Sequence, residues 1–173
     1  LLNAGDLGLI LQQTADGLRV LSLFDAAADQ RLVPAQSLPL FALTVRHAES
    51  KQEVRLAADS GWGHVEVRPA GPASGAELRW ERPADKRLEG LRVSMRVTPD
   101  PKTSAFRWTL AADSPPAPWS VWRAVFPQVA VAELGPQAAV FFPKAAGEVQ
   151  RGVWQRAFRF SGTYPSGWTS LQF

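Results

Sequence analysis

Seven tryptophans, two histidines and a scatter of carboxylates are the residues of this 173-residue chain that could do chemistry. An indole can stack its flat face on the apolar C–H face of a sugar ring, which is a physical route to carbohydrate binding. Trp62 and Trp168 each follow Ser-Gly, as Ser60-Gly61-Trp62 and Ser166-Gly167-Trp168, in turn contexts. Trp119 opens a strand-like run. These three are the candidate carbohydrate-binding residues. The competing use of such rings is to cap the ends of a core or to meet a neighbouring domain. Trp80, Trp108 and Trp154 lie inside apolar strand runs and read as core. Trp119 and Trp122 flank one strand, and their odd spacing points them to opposite sides of its pleat.

The other reactive side chains form no recognisable constellation. His47 and His64 are 17 residues apart, with Glu49, Glu53 and Glu66 nearby. A zinc site wants a third ligand and a tighter spacing such as H-x-x-x-H. Both histidines read as surface groups, with acid/base or metal roles as the lesser alternatives. Glycoside hydrolysis needs a close pair of carboxylates. No such pair stands out, and Glu133 and Glu148 read as surface charges in loops. Serine nucleophiles lack a G-x-S-x-G elbow, and Gly61-Trp62-Gly63 lacks the third glycine of a phosphate loop. The expectation is a domain with no catalytic residue, no metal and no cofactor of its own.

Charge narrows the partners. The net charge is +3, and 15 of the 19 basic residues are arginine. Residues 1–86 carry 9 basic and 11 acidic residues, and residues 87–173 carry 10 and 5. The arginines stand singly inside strand-like runs, whereas a nucleic-acid binder gathers them into a patch. Nucleic acid is therefore not an expected partner. No apolar run approaches the roughly 20 residues of a membrane span, so no membrane is expected either. There is no cysteine, which excludes disulfides and thiolate chemistry. Cysteine content leaves the compartment unreadable, and a secreted or periplasmic location is the expectation. The abundance of Ala, Arg, Gly and Pro hints at a GC-rich bacterial source.

The elements that must position these residues are short strands. Apolar runs recur about every 8–12 residues between turn signals. They are Gly17–Asp25, Pro39–Arg46, Gly63–Arg68, Ala76–Glu81, Leu91–Thr98, Ala105–Leu110, Trp119–Phe126, Ala139–Phe142, Val153–Phe160 and Trp168–Phe173. The clearest is Leu91–Thr98. Leu91, Val93, Met95 and Val97 fall on one face, and Arg92, Ser94, Arg96 and Thr98 on the other. His47–Asp59 has neither Gly nor Pro and fits a helix or a short strand, with the β surroundings favouring the strand. Pro69–Gly75 reads as a hairpin loop. Fourteen Pro and 13 Gly exclude a helical bundle. Ten to twelve short strands without a fixed repeat predict an all-β, two-sheet antiparallel sandwich with little helix, as one domain over residues 1–173.

The order of the runs resembles the galactose-mutarotase-like β-supersandwich found at the N-terminus of large TIM-barrel glycoside hydrolases. Asn3–Asp25 resembles that domain's opening hairpin, and Pro39-Leu40-Phe41 with Leu43 and Arg46 its next strand. Trp119–Pro127 resembles its Val-x-Phe-Pro strand, and Phe142-Pro143 with Gly147 the loop that follows. Tyr164-Pro165 and Ser170–Phe173 resemble the link into the barrel. The resemblance implies a non-catalytic accessory domain whose partner is a catalytic domain in the same polypeptide, bracing it and lending a loop to carbohydrate. In that family the acid and nucleophile belong to the barrel. The alternatives are an autonomous carbohydrate-binding module using loop tryptophans and a small aldose-mutarotase-like isomerase. The His/His/Glu set of true mutarotases does not map onto His47 and His64.

Overall fold

Period-two alternation decides nearly every element. The computed structural model describes residues 1–14, 17–32, 38–71, 75–113, 115–130, 139–142 and 148–152. The chain divides into two compact units, Leu1–Val131 and Ala132–Phe173.

The first unit is an all-β antiparallel sandwich of eleven strands and one 3-10 turn, counted over the described residues. Its strands are β1 Leu2–Ala4, β2 Leu7–Thr14, β3 Gly17–Asp25, β4 Gln30–Arg31, β5 Ala42–His47, β6 Glu53–Ala57, β7 Trp62–Gly71, β8 Gly75–Pro83, β9 Arg92–Asp100, β10 Ala105–Asp113 and β11 Trp119–Val125. Lys86–Leu88 form the 3-10 turn. In the second unit, β12 Ala139–Phe142 pairs antiparallel with β13 Glu148–Arg151. Glu148 therefore opens a strand, where the sequence suggested a loop. Glu133, the run Val153–Phe160 with Trp154, and the run Trp168–Phe173 lie outside the described residues.

Pairing splits the first unit into three sheets rather than two. Their orders are β1-β2-β3-β4, β10-β9-β8-β7 and β11-β5-β6. The third sheet explains the difference. Its β5–β6 hairpin recruits β11 from far along the chain, and alternation within a strand carries no information about such a partner. The ambiguous stretch after His47 resolves as a turn followed by β6. His47 N–H donates to the Gln52 carbonyl and Lys51 N–H to that of His47, which closes the hairpin.

Inward positions follow the alternation. Leu91, Val93, Met95 and Val97 are all buried, as are Leu43 and Val45 on β5 and Val54 and Leu56 on β6. Phe106, Trp108 and Leu110 on the edge strand β10 are half-buried against this core. Gly75 shows why one hairpin needs glycine: φ is +88°, and a Cβ there would lie 1.8 Å from the Val97 carbonyl oxygen.

The centre of the core is aromatic. Trp80 is fully buried, and Phe41 meets it edge-to-face with centroids 4.8 Å apart. The Trp80 indole N–H donates to the Ala58 carbonyl at 2.8 Å. A buried indole must satisfy its one donor, and this bond does so. Trp80→Ala removes the ring and the bond together. We expect it to lower the unfolding free energy by about 3–5 kcal/mol, measured by urea denaturation; a loss under about 1 kcal/mol contradicts this account of the core.

Candidate functional site

Trp62 begins β7 at the junction of turn and strand, and its ring is committed inward. Its indole N–H donates to the Ala57 carbonyl at 2.8 Å, and it meets Phe41 edge-to-face with centroids 6.5 Å apart. The ring is half-buried against the core. Trp119 is only 9% exposed. His47 packs edge-to-face on it at 5.1 Å, and the Arg87 guanidinium carbon lies 5.4 Å from its centroid. Trp168 lies outside the described residues. The two of these rings that are described thus sit in structural contacts, without a broad open face.

The cluster around Trp119 is a clasp between the β5–β6 hairpin, the 3-10 turn and β11. Asp85 caps the 3-10 turn by accepting from the Arg87 N–H at 3.0 Å. It also pairs with the Arg87 guanidinium, Nη2 to Oδ2 at 2.6 Å. Arg87 Nη1 donates to the Gln52 side-chain oxygen at 3.3 Å. The Asp85 carboxyl lies below the ordinary carboxylate range, first because of the side-chain hydrogen bond from Arg87 and then because of its backbone N–H. His47 Nδ1 accepts from the Ser50 N–H at 3.2 Å, so this imidazole serves its turn.

Among the described residues, the open indole is Trp122. It is 62% exposed, and the Arg46 guanidinium carbon stands 4.6 Å from its ring centroid. A register shift between Val121 and Arg123 sets Trp122 out of the β11–β5 ladder. Arg46 Nε is buried and has no acceptor among the described residues. The guanidinium therefore backs one face of the indole as a cation–π partner. The odd spacing of Trp119 and Trp122 signalled that one of them must point outward. The sequence reading put Trp119 rather than Trp122 forward for saccharide, because the bulge and the burial of Trp119 both depend on pairing with β5.

The polar face of the β10-β9-β8-β7 sheet is the second charged surface. His64, Glu66 and Arg68 on β7 stand opposite Glu81, Arg79 and Glu77 on β8. Glu66 pairs with Arg68 at 2.8 Å, and Glu77 pairs with Arg79 at 2.8 Å and with Arg96 at 3.9 Å. Hydrogen bonds from Arg68 and Arg79 draw the Glu66 and Glu77 carboxyls below their ordinary range. A shallow groove of about 200 Å³ runs over Glu77, Arg79, Glu81, Arg92, Ser94 and Asp113. An apolar cavity of about 270 Å³ opens between β2–β3 and β10, lined by residues including Leu7, Leu9, Val20 and Trp108. Among the described residues, no group of three or more His, Cys, Asp or Glu is placed to hold a metal ion, and no helix is long and apolar enough to cross a membrane.

Comparison of the chain with protein-family models, with curated proteins and with solved structures returns no match. The functional reading therefore rests on side-chain geometry.

The lowered carboxyls make a signed prediction. Each stabilises the fold while ionised, above the ordinary carboxylate pKa of about 4, and loses that contribution as pH falls through its lower folded value. We expect Asp85→Asn to lower the urea midpoint at pH 7 and the gap to wild type to close towards pH 2. A gap that persists unchanged at pH 2 refutes the role given to the Asp85 charge.

Proposed function

We propose that the chain is a non-catalytic accessory β-sandwich of a carbohydrate-active enzyme, of the galactose-mutarotase-like type, which braces a catalytic barrel in the same polypeptide and touches saccharide through Trp122. The observation that carries the saccharide contact is the open Trp122 ring with Arg46 behind it. A sugar ring presents an apolar C–H face, and an indole fixed on a strand offers it area at small conformational cost. The backing cation restrains the ring from one side while the residue stays largely open. The sheet holds the platform in place, because Arg46 belongs to the central strand β5 and Trp122 to β11.

Support for the bracing role comes from the order of the strand runs and from the rigid antiparallel sheets that they form. The same Trp122 platform favours a second reading, an autonomous carbohydrate-binding module. Its residues all belong to the Leu1–Val131 unit.

The test is a titration of the 173-residue chain with soluble polysaccharides, followed by tryptophan emission. Saturable binding is expected, weakened about tenfold or more by Trp122→Ala. The same variant should leave the unfolding free energy within about 0.5 kcal/mol of wild type, since the ring is exposed. Binding that survives Trp122→Ala unchanged removes this residue from the contact.

A further inference from the structure

We infer that the outer face of the β11-β5-β6 sheet takes a carboxylated polysaccharide, a uronate-type chain, rather than a neutral one. The inference rests on the saccharide contact proposed above and adds its charge class. The alternation that buries Leu43 and Val45 turns Thr44 and Arg46 of β5 to the outer face. Cross-strand partners share a face, so register supplies the rest. Arg55 of β6 and Arg123 of β11 stand on either side of Thr44, and Glu53 and Ser120 on either side of Arg46. Trp122 joins them over Arg46.

This face therefore carries three guanidinium groups, Arg46, Arg55 and Arg123, against the one carboxylate of Glu53. None of the four forms an ion pair among the described residues. Arg55 and Arg123 are exposed and so open to a partner, whereas the Arg46 Nε is buried, without an acceptor among the described residues. The contrast with the β10-β9-β8-β7 sheet is direct. There Arg68 and Arg79 are each matched by a glutamate at 2.8 Å. Positive charge on the Trp122 face is left for a partner to neutralise.

Geometry selects the partner. Strands lie about 4.8 Å apart, so Arg55 and Arg123, two strands apart, anchor their side chains about 10 Å from each other. That separation is longer than one sugar unit and suits acidic groups carried on alternate sugars of a chain. A guanidinium receives a carboxylate by two parallel hydrogen bonds, which sets Arg above Lys for this task. The Trp122 ring beside Arg46 takes the pyranose face, which a bare polyanion does not possess.

The experiment titrates the full chain with polygalacturonate, dextran, dextran sulfate and single-stranded DNA at about 0.15 M salt, where long-range attraction is largely screened. Polygalacturonate is expected to bind saturably and dextran at least tenfold more weakly. Arg55→Gln and Arg123→Gln are each expected to weaken polygalacturonate binding about tenfold, with urea midpoints unchanged. Equal affinity for dextran and polygalacturonate, or Arg→Gln variants that bind as wild type, overturns the charge preference and leaves the Trp122 contact standing. Tighter binding of DNA makes this a nucleic-acid face and overturns the inference. Equal binding of dextran sulfate and polygalacturonate that Trp122→Ala does not affect reduces it to polyanion attraction. Binding to none of the four polymers removes the inference and the saccharide contact together.

Discussion

The carbonyl oxygen of Ala58 is where the three sheets of the first unit are tied together. It accepts from the Trp80 indole at 2.8 Å and from the Leu18 backbone N–H at 3.3 Å. Trp80 belongs to one sheet, Leu18 to a second, and Ala58 follows the last strand of the third. The Ala58 N–H in turn donates to the Phe41 carbonyl at 3.0 Å. Ala58 is fully buried, so these groups have no water to fall back on and must find one another. The close approach also dictates the neighbour. A Cβ on Gly17 would lie 2.3 Å from this oxygen, which leaves glycine as the residue that fits.

That constraint sorts the aromatic side chains. Phe41 sits edge-on to both Trp80 and Trp62, and each of these indoles donates to a carbonyl at the end of β6. Both rings are thereby fixed by a donor as well as by packing. Trp119 is taken up by the clasp with His47 and Arg87. Trp122 has no such role. Its strand is exposed at every residue after Trp119 and is paired only with β5 among the described residues. An irregular edge strand is where a sheet can turn a large side chain outward without losing core volume.

Strand identity was legible because it is local. Leu91–Val97 alternates so strictly that its buried face could be named residue by residue, and all four positions are buried. Trp80 as core was legible for the same reason. Pairing was not. The third sheet joins residues more than 60 positions apart, and no local pattern in Trp119–Val125 names β5 as its partner. Ser60-Gly61 left Trp62 open to two readings, saccharide contact or capping of the core, and the turn brings the indole onto the Ala57 carbonyl. The same gap hid the platform. Arg46 and Trp122 are distant in sequence, and only the β5–β11 register sets one over the other.

The two exposed faces differ in what they have already satisfied. On the β10-β9-β8-β7 sheet, acid and base alternate across the ladder and neutralise each other. Such exposed pairs add little stability, yet they discourage further charged partners. On the β11-β5-β6 sheet the acids are nearly absent. Three arginines share this face, one of them stacked on the open indole, and their mutual repulsion is a cost to the fold. A buried donor at Arg46 without an acceptor among the described residues adds to that cost. Among the described residues, the buried side-chain donor without an acceptor lies on this face. Departures of that kind concentrate where a surface answers to a partner rather than to its own fold, and cation and aromatic together are what the proposed saccharide would meet here.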